Sequence, residues 1–114
     1  AMVAFETALE ARREQGQPKE TRIAEWCVAR CLRALGRVAE ALGIQQRLAV
    51  EAAIAGDPED GYGAEEIGEC LLAMGRDEEA RPSFARAAEL LGADAFLAEH
   101  EPDRIARLRR LAEG

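Results

Sequence analysis

Strand-forming residues are scarce in this chain. Valine, isoleucine and threonine supply only eleven of its 114 residues against twenty-four alanines, so little of it could cover a pleated sheet and the local preference is helical. Cysteine is equally sparse. An odd count of three, Cys27, Cys31 and Cys70, excludes a complete disulfide framework and fits a reducing compartment. No apolar run approaches the roughly 18 residues of a spanning helix, and the opening Ala1-Met2-Val3-Ala4-Phe5-Glu6 lacks the basic and apolar regions of a signal peptide. The expected location is therefore cytoplasmic. Basic charge is also in deficit, with 15 Lys and Arg against 22 Asp and Glu and a net charge of −7. Nucleic acid and anionic membrane surfaces both need a basic face, so neither is an expected partner.

What is present is helical periodicity in a chain sized for one domain, spanning 1–114. Turn signals divide it into six stretches with apolar residues at three- and four-residue spacing: about Val3–Gln15, Glu20–Leu35, Val38–Ile54, Gly63–Met74, Glu78–Leu91 and Pro102–Ala112. Gly36 and Gly75 end the second and fourth stretches as left-handed C-caps. The run Gly56-Asp57-Pro58-Glu59-Asp60-Gly61 is the clearest loop. Asp77 is a suitable N-cap for the fifth stretch, and Pro82, five residues later, predicts a mild kink without a break.

The sequence repeats itself. Laying Arg22–Glu51 over Gly61–Leu90, an offset of 39, gives nine identities in thirty positions. They gather around the turn: Cys31 with Cys70, Leu32 with Leu71, Ala34 with Ala73, Gly36 with Gly75, Arg37 with Arg76, Glu40 with Glu79 and Ala41 with Ala80. The second copy resembles the tetratricopeptide repeat, whose pattern W-x2-L-G-x2-Y followed by A-x3-F reads here as Ala64-x2-Ile67-Gly68-x2-Leu71 and Ala80-x3-Phe84. In the first copy Val28, Ala29, Leu32 and Ala41 fit, Trp26 sits one residue from the tryptophan position, and Gln45 stands where the aromatic belongs. The long offset is similar to that of kinesin-light-chain repeats. This resemblance implies an all-α fold of antiparallel helical hairpins stacked as a short right-handed solenoid of about six helices. Residues 1–16 would be a partial leading repeat, 20–55 and 61–92 the two hairpins, and 102–113 a capping helix.

Catalytic and metal-binding chemistry lack their usual residues. Cys27 and Cys31 lie one turn apart, but structural zinc needs four ligands and no histidine or further cysteine stands near them in sequence. Cys31 and Cys70 share one repeat position, which predicts small buried filler. The single histidine, His100, falls in the Glu99–Pro102 link, away from any cysteine, so no activated thiol is expected. In Asp57–Gly61 the glycine comes one position too early for a calcium loop, and Gly68 stands where a bidentate glutamate is required. The carboxylates alternate with arginines and no pair stands out as an acid/base couple. The expected protein is therefore not an enzyme and carries no cofactor or metal.

On the last stretch, Ile105, Leu108 and Leu111 are expected to dock on the fifth while its arginines offset nearby glutamates. The resemblance further implies a concave groove on the first-of-pair helices that holds a peptide or helix of a protein partner. Its positions carry over as Ile23, Trp26, Arg30 and Arg33 on the second stretch and Tyr62, Glu65, Glu69 and Leu72 on the fourth. Trp26 and Tyr62 are the anchor types that dominate interfaces. Arg30 and Arg33 are expected to face Glu65 and Glu69, and Trp26 is open to a second reading as core. The alternative function is a homo-oligomeric, chaperone-like scaffold in which a second copy, as in a homodimer, fills the groove.

Overall fold

The computed structural model describes residues 18–114. Six helices follow one another: α1 (Pro18–Ala34), α2 (Val38–Ala55), α3 (Gly61–Ala73), α4 (Asp77–Gly92), α5 (Ala95–His100) and α6 (Pro102–Glu113). No strand occurs among the described residues. Five of these helices match expected stretches to within about two residues at each end. The leading helix expected over Val3–Gln15, and with it the partial repeat 1–16, lies outside the described residues.

The duplicated turn in the sequence is a duplicated turn in space. Gly36 and Gly75 adopt φ of 86° and 74°, a left-handed conformation that glycine enters without steric cost. In the first turn Arg37 N–H donates to the Leu32 carbonyl at 2.8 Å and Gly36 N–H to that of Arg33 at 3.1 Å. In the second, Arg76 donates to Leu71 at 2.9 Å and Gly75 to Leu72 at 3.0 Å. Both are Schellman motifs, which satisfy carbonyls the helix end would otherwise orphan. Each arginine then bonds the glutamate three residues on, Arg37 to Glu40 and Arg76 to Glu79. Asp77 is not the N-cap expected of it. The N-cap of α4 is Arg76, whose side chain makes no capping bond, and Asp77 is already helical. The Schellman bond holds Arg76 at the boundary, which leaves Asp77, Glu78 and Glu79 in the first turn, where the helix dipole favours negative charge.

Neighbours in sequence pack on one another, α1 on α2, α2 on α3 and α3 on α4, and α6 packs on α4 past the short α5. Helices α3 and α4 approach closely, because two glycines of α3 are buried against α4. A methyl group on Gly68 would meet the Phe84 ring at 2.9 Å, and one on Gly61 would meet the Leu91 side chain at 2.8 Å. Phe84 is wholly buried there with Ala80 and Ala87. The first hairpin buries Val28, Ala29 and Leu32 against Ala41 and Leu42 in the same cluster. Ile105 and Leu108 of α6 are buried and Leu111 packs at the edge of the core, as the apolar face of that stretch predicts.

Helix α5 was not legible as a helix. Six residues are too few for a periodicity, so the segment reads as a link. Asp94 starts it by accepting from the N–H groups of Phe96 and Leu97 at 2.9 and 3.2 Å, and Leu97 is buried. His100 is exposed at its end and stacks on Phe96 with ring centroids 4.1 Å apart. Of the three cysteines only Cys70 is fully buried; Cys27 and Cys31 are half-buried. The shared repeat position thus does not give shared burial: α3 lies between α2 and α4, whereas α1 packs on α2 and meets α3 only lightly.

Candidate functional site

A cleft of about 1170 Å³ runs between the two hairpins. Helix α1 contributes Arg22, Ile23, Trp26 and Arg30, and α3 contributes Tyr62, Glu66 and Ile67. Gln45, Leu48 and Ala52 of α2 also line it, as do the loop carboxylates Asp57, Glu59 and Asp60. Pro82 and Arg86 of α4 and Arg104 of α6 complete the wall on the far side.

Of the eight expected groove residues, Ile23, Trp26, Arg30 and Tyr62 line this cleft. Ile23 is 54% exposed, a large apolar side chain open to solvent. Tyr62 is held by the start of α3, where Asp60 accepts from its backbone N–H at 3.0 Å. An arginine lies over each aromatic ring: Arg30 over Trp26 at 5.6 Å and Arg104 over Tyr62 at 4.9 Å from the ring centroids. Such cation–π contacts fix the rings at the cleft wall.

The other four residues do a different job. Leu72 packs on the core cluster, and Arg33, Glu65 and Glu69 belong to an ion-pair network. Of the expected pairing of Arg30 and Arg33 with Glu65 and Glu69, only Arg33 with Glu69 is formed, and weakly. Arg33 forks onto Glu66, with contacts of 2.7 and 3.1 Å, and reaches Glu69 only at 3.9 Å. Glu65 and Glu69 are taken by α6, through Arg104 and Arg107 respectively. Successive helical residues point about 100° apart, so Glu65 turns towards α6 while Glu66 turns towards α1. The hydrogen bond to Glu66, with charge attraction behind it, raises the Arg33 pKa. Arg104 is raised in the same way, first by its bond to Glu65. Arg30 has no carboxylate partner among the described residues.

Three buried polar atoms among the described residues have no hydrogen-bond partner: Thr21 Oγ1, Trp26 Nε1 and Gln45 Nε2. Two of the three residues, Trp26 and Gln45, line the cleft. Gln45 was visible in the sequence only as a departure from the repeat pattern, and nothing there placed it in a site.

Burial, aided by the nearby charge of Glu66, pushes the Cys70 thiol up to about 11, so it stays protonated at neutral pH and is a poor nucleophile. No group of three or more metal-ligating side chains gathers among the described residues. No helix there is long and apolar enough to cross a membrane. No known family model matches this chain, and no curated protein or solved structure is significantly similar to it.

Proposed function

We propose that this chain is a non-enzymatic protein-interaction module of the tetratricopeptide-like kind, and that its partner is a peptide segment held in the cleft between the hairpins. The observation that carries this reading is the meeting of Trp26 from the first hairpin and Tyr62 from the second on one open cleft. Aromatic rings presented this way are the usual anchors of an interface. Support for the repeat comes from the two Schellman turns, matched bond for bond. Packing between successive helices, closed by α6, fits a short right-handed stack with a capping helix. A cytoplasmic location, with no nucleic acid, membrane or cofactor involved, accords with the net charge of −7 and the three free thiols.

Panning a displayed library of random peptides tests the reading directly. Selected peptides should bind about 30-fold more weakly to Trp26→Ala and to Tyr62→Ala, the roughly 2 kcal/mol of an interface anchor. Reversing the exposed Arg30 should cost under about 1 kcal/mol and depend on salt. Trp26→Ala needs its melting temperature measured alongside. A sharp fall in melting with unchanged affinity in the folded remainder makes Trp26 core and removes the groove's central residue. The rival, a homo-oligomeric scaffold in which a second copy fills the cleft, is separated by light scattering: a concentration-dependent dimer lost on Tyr62→Ala would replace the peptide reading.

A further inference from the structure

The two hairpins share a plan and differ at its centre. In the second, Phe84 fills the space beside Gly68 and is 0% exposed. In the first, the matching places hold Ala29 and Gln45. Gln45 is 3% exposed, lines the cleft, and leaves its amide Nε2 without a partner. Trp26, from the facing helix of the same hairpin, lines the cleft too and leaves its indole Nε1 equally unpaired. A buried donor without a partner costs about 1–3 kcal/mol, a large fraction of the roughly 5–15 kcal/mol that holds a domain together. An aromatic or leucine at Gln45 would avoid that cost, as Phe84 does in the other copy.

We infer that Gln45 Nε2 and Trp26 Nε1 are hydrogen-bond donors for main-chain carbonyl groups of an extended partner segment lying in the cleft. This rests on the reading of the cleft as a peptide groove and narrows its occupant. Neutral donors suit neutral acceptors, and the surrounding charge argues the same way. Most cleft arginines are already engaged, Arg22 by Asp57, Arg86 by Glu59 and Arg104 by Glu65, and the chain carries a net charge of −7 that repels an acidic ligand. The carbonyls of a helix are spent on its own ladder. Those of an extended segment are free, and every second one faces the same side, about 6.6 Å from the last. Both side chains line the cleft, with their donor atoms buried. The terminal torsion of a glutamine is soft enough to turn the amide outward as the segment docks.

The test uses peptides selected from a displayed random library, with binding read by the emission of Trp26, the one tryptophan in the chain. Replacing successive peptide amides by esters weakens one carbonyl acceptor, and removes one N–H donor, at a time. At the carbonyl that Gln45 meets, the ester should lower affinity about 3- to 10-fold in the wild type and have no effect in Gln45→Leu, while the ester at the carbonyl that Trp26 meets should keep its effect in that variant. Gln45→Leu alone should lose a similar factor while melting no lower than the wild type, since it removes an unpaired buried donor. Gln45→Met repeats the comparison with a side chain of closer shape. Binders that are lost on Tyr62→Ala but indifferent to Gln45→Leu, or in which every ester effect persists in that variant, overturn the inference and leave the groove reading standing. A marked fall in melting temperature for both Gln45 variants also overturns it, because the amide then has an internal partner. So does binding that collapses with salt and with Arg30→Ala, which identifies a carboxylate ligand. A library that yields no binder sensitive to Tyr62→Ala sinks both readings.

Discussion

The same substitution should have opposite signs at two glycines of this fold. Gly43 in α2 is exposed, and a methyl group added there would meet nothing within 4 Å. Replacing a mid-helix glycine by alanine narrows the unfolded ensemble and gains about 0.5–1 kcal/mol, so Gly43→Ala should stabilise by that amount. Gly68 in α3 is buried, and its added methyl would meet three carbons of the Phe84 ring between 2.9 and 3.1 Å. The propensity gain is the same, but overpacking a filled core costs about 1–3 kcal/mol. Phe84 has little room to retreat, being wholly buried. The net expectation is a loss of about 1 kcal/mol, or some 4–8 °C in melting temperature for a domain near this size.

Urea unfolding followed by circular dichroism gives both values, provided the dependence on denaturant is unchanged between variants. Phe84→Leu supplies the control. Alone it leaves a cavity and destabilises, but combined with Gly68→Ala it should cost measurably less than the two separate losses, a coupling of at least about 0.5 kcal/mol. Gly68→Ala as stabilising as Gly43→Ala, or strict additivity with Phe84→Leu, would show that α3 and α4 do not approach through these residues.

Removing the chain from Glu101 onward should destabilise strongly, since buried Ile105 and Leu108 each contribute about 1.5–3 kcal/mol; a truncated chain that melts like the whole would refute the capping role of α6. Arg104→Ala should lower stability by about 1–3 kcal/mol by stranding Glu65, 7% exposed, whereas Arg37→Ala, in an exposed pair with Glu40, should cost under about 1 kcal/mol; chemical denaturation distinguishes these, and equal losses would contradict the network. Native thiol labelling should modify Cys27 and Cys31 before Cys70, and simultaneous labelling would refute the burial. The Cys70 thiol ionises near 9.0 when unfolded and at about 11 when folded, so the neutral thiol stabilises the fold below about pH 9 and that contribution is lost as pH rises towards 11. Cys70→Ala should flatten this part of the stability profile, and an unchanged profile would count against it.

Local rules made most of the fold legible. Glycine at a helix end, a proline-containing loop and apolar residues at helical spacing are statements about a few neighbouring residues, and the structure honours them at Gly36, Gly56 and Gly75. Where competing local signals met, the reading erred. Asp77 has the chemistry of an N-cap, yet the glycine-centred turn before it sets the boundary one residue earlier. At Ala95–His100 the signal was too short: one cap, Asp94, and one buried side chain, Leu97, suffice for a helix that packs on α4 and α6.

The cleft was half legible, and the missing half has a geometric cause. A repeat offset tells which positions in two helices are equivalent, and Ile23 and Tyr62, equivalent by that offset, both line the cleft. It says nothing of rotation between helices, and a turn of one residue, about 100°, decides whether Glu65 or Glu66 meets Arg33. Nor does it reveal the contribution of α2, because the pattern assigns that helix to the far side of its hairpin. What the repeat does supply is a comparison inside one molecule. Two copies that keep the same turn, the same small residues at Ala41 and Ala80 and the same aliphatic at Leu32 and Leu71 are matched where the fold needs them. They part at Phe84 and Gln45, where one side chain closes the core and the other leaves an unpaired donor beside the cleft. A divergence that lowers stability at a position the other copy fills well is the kind of departure that function explains better than folding does.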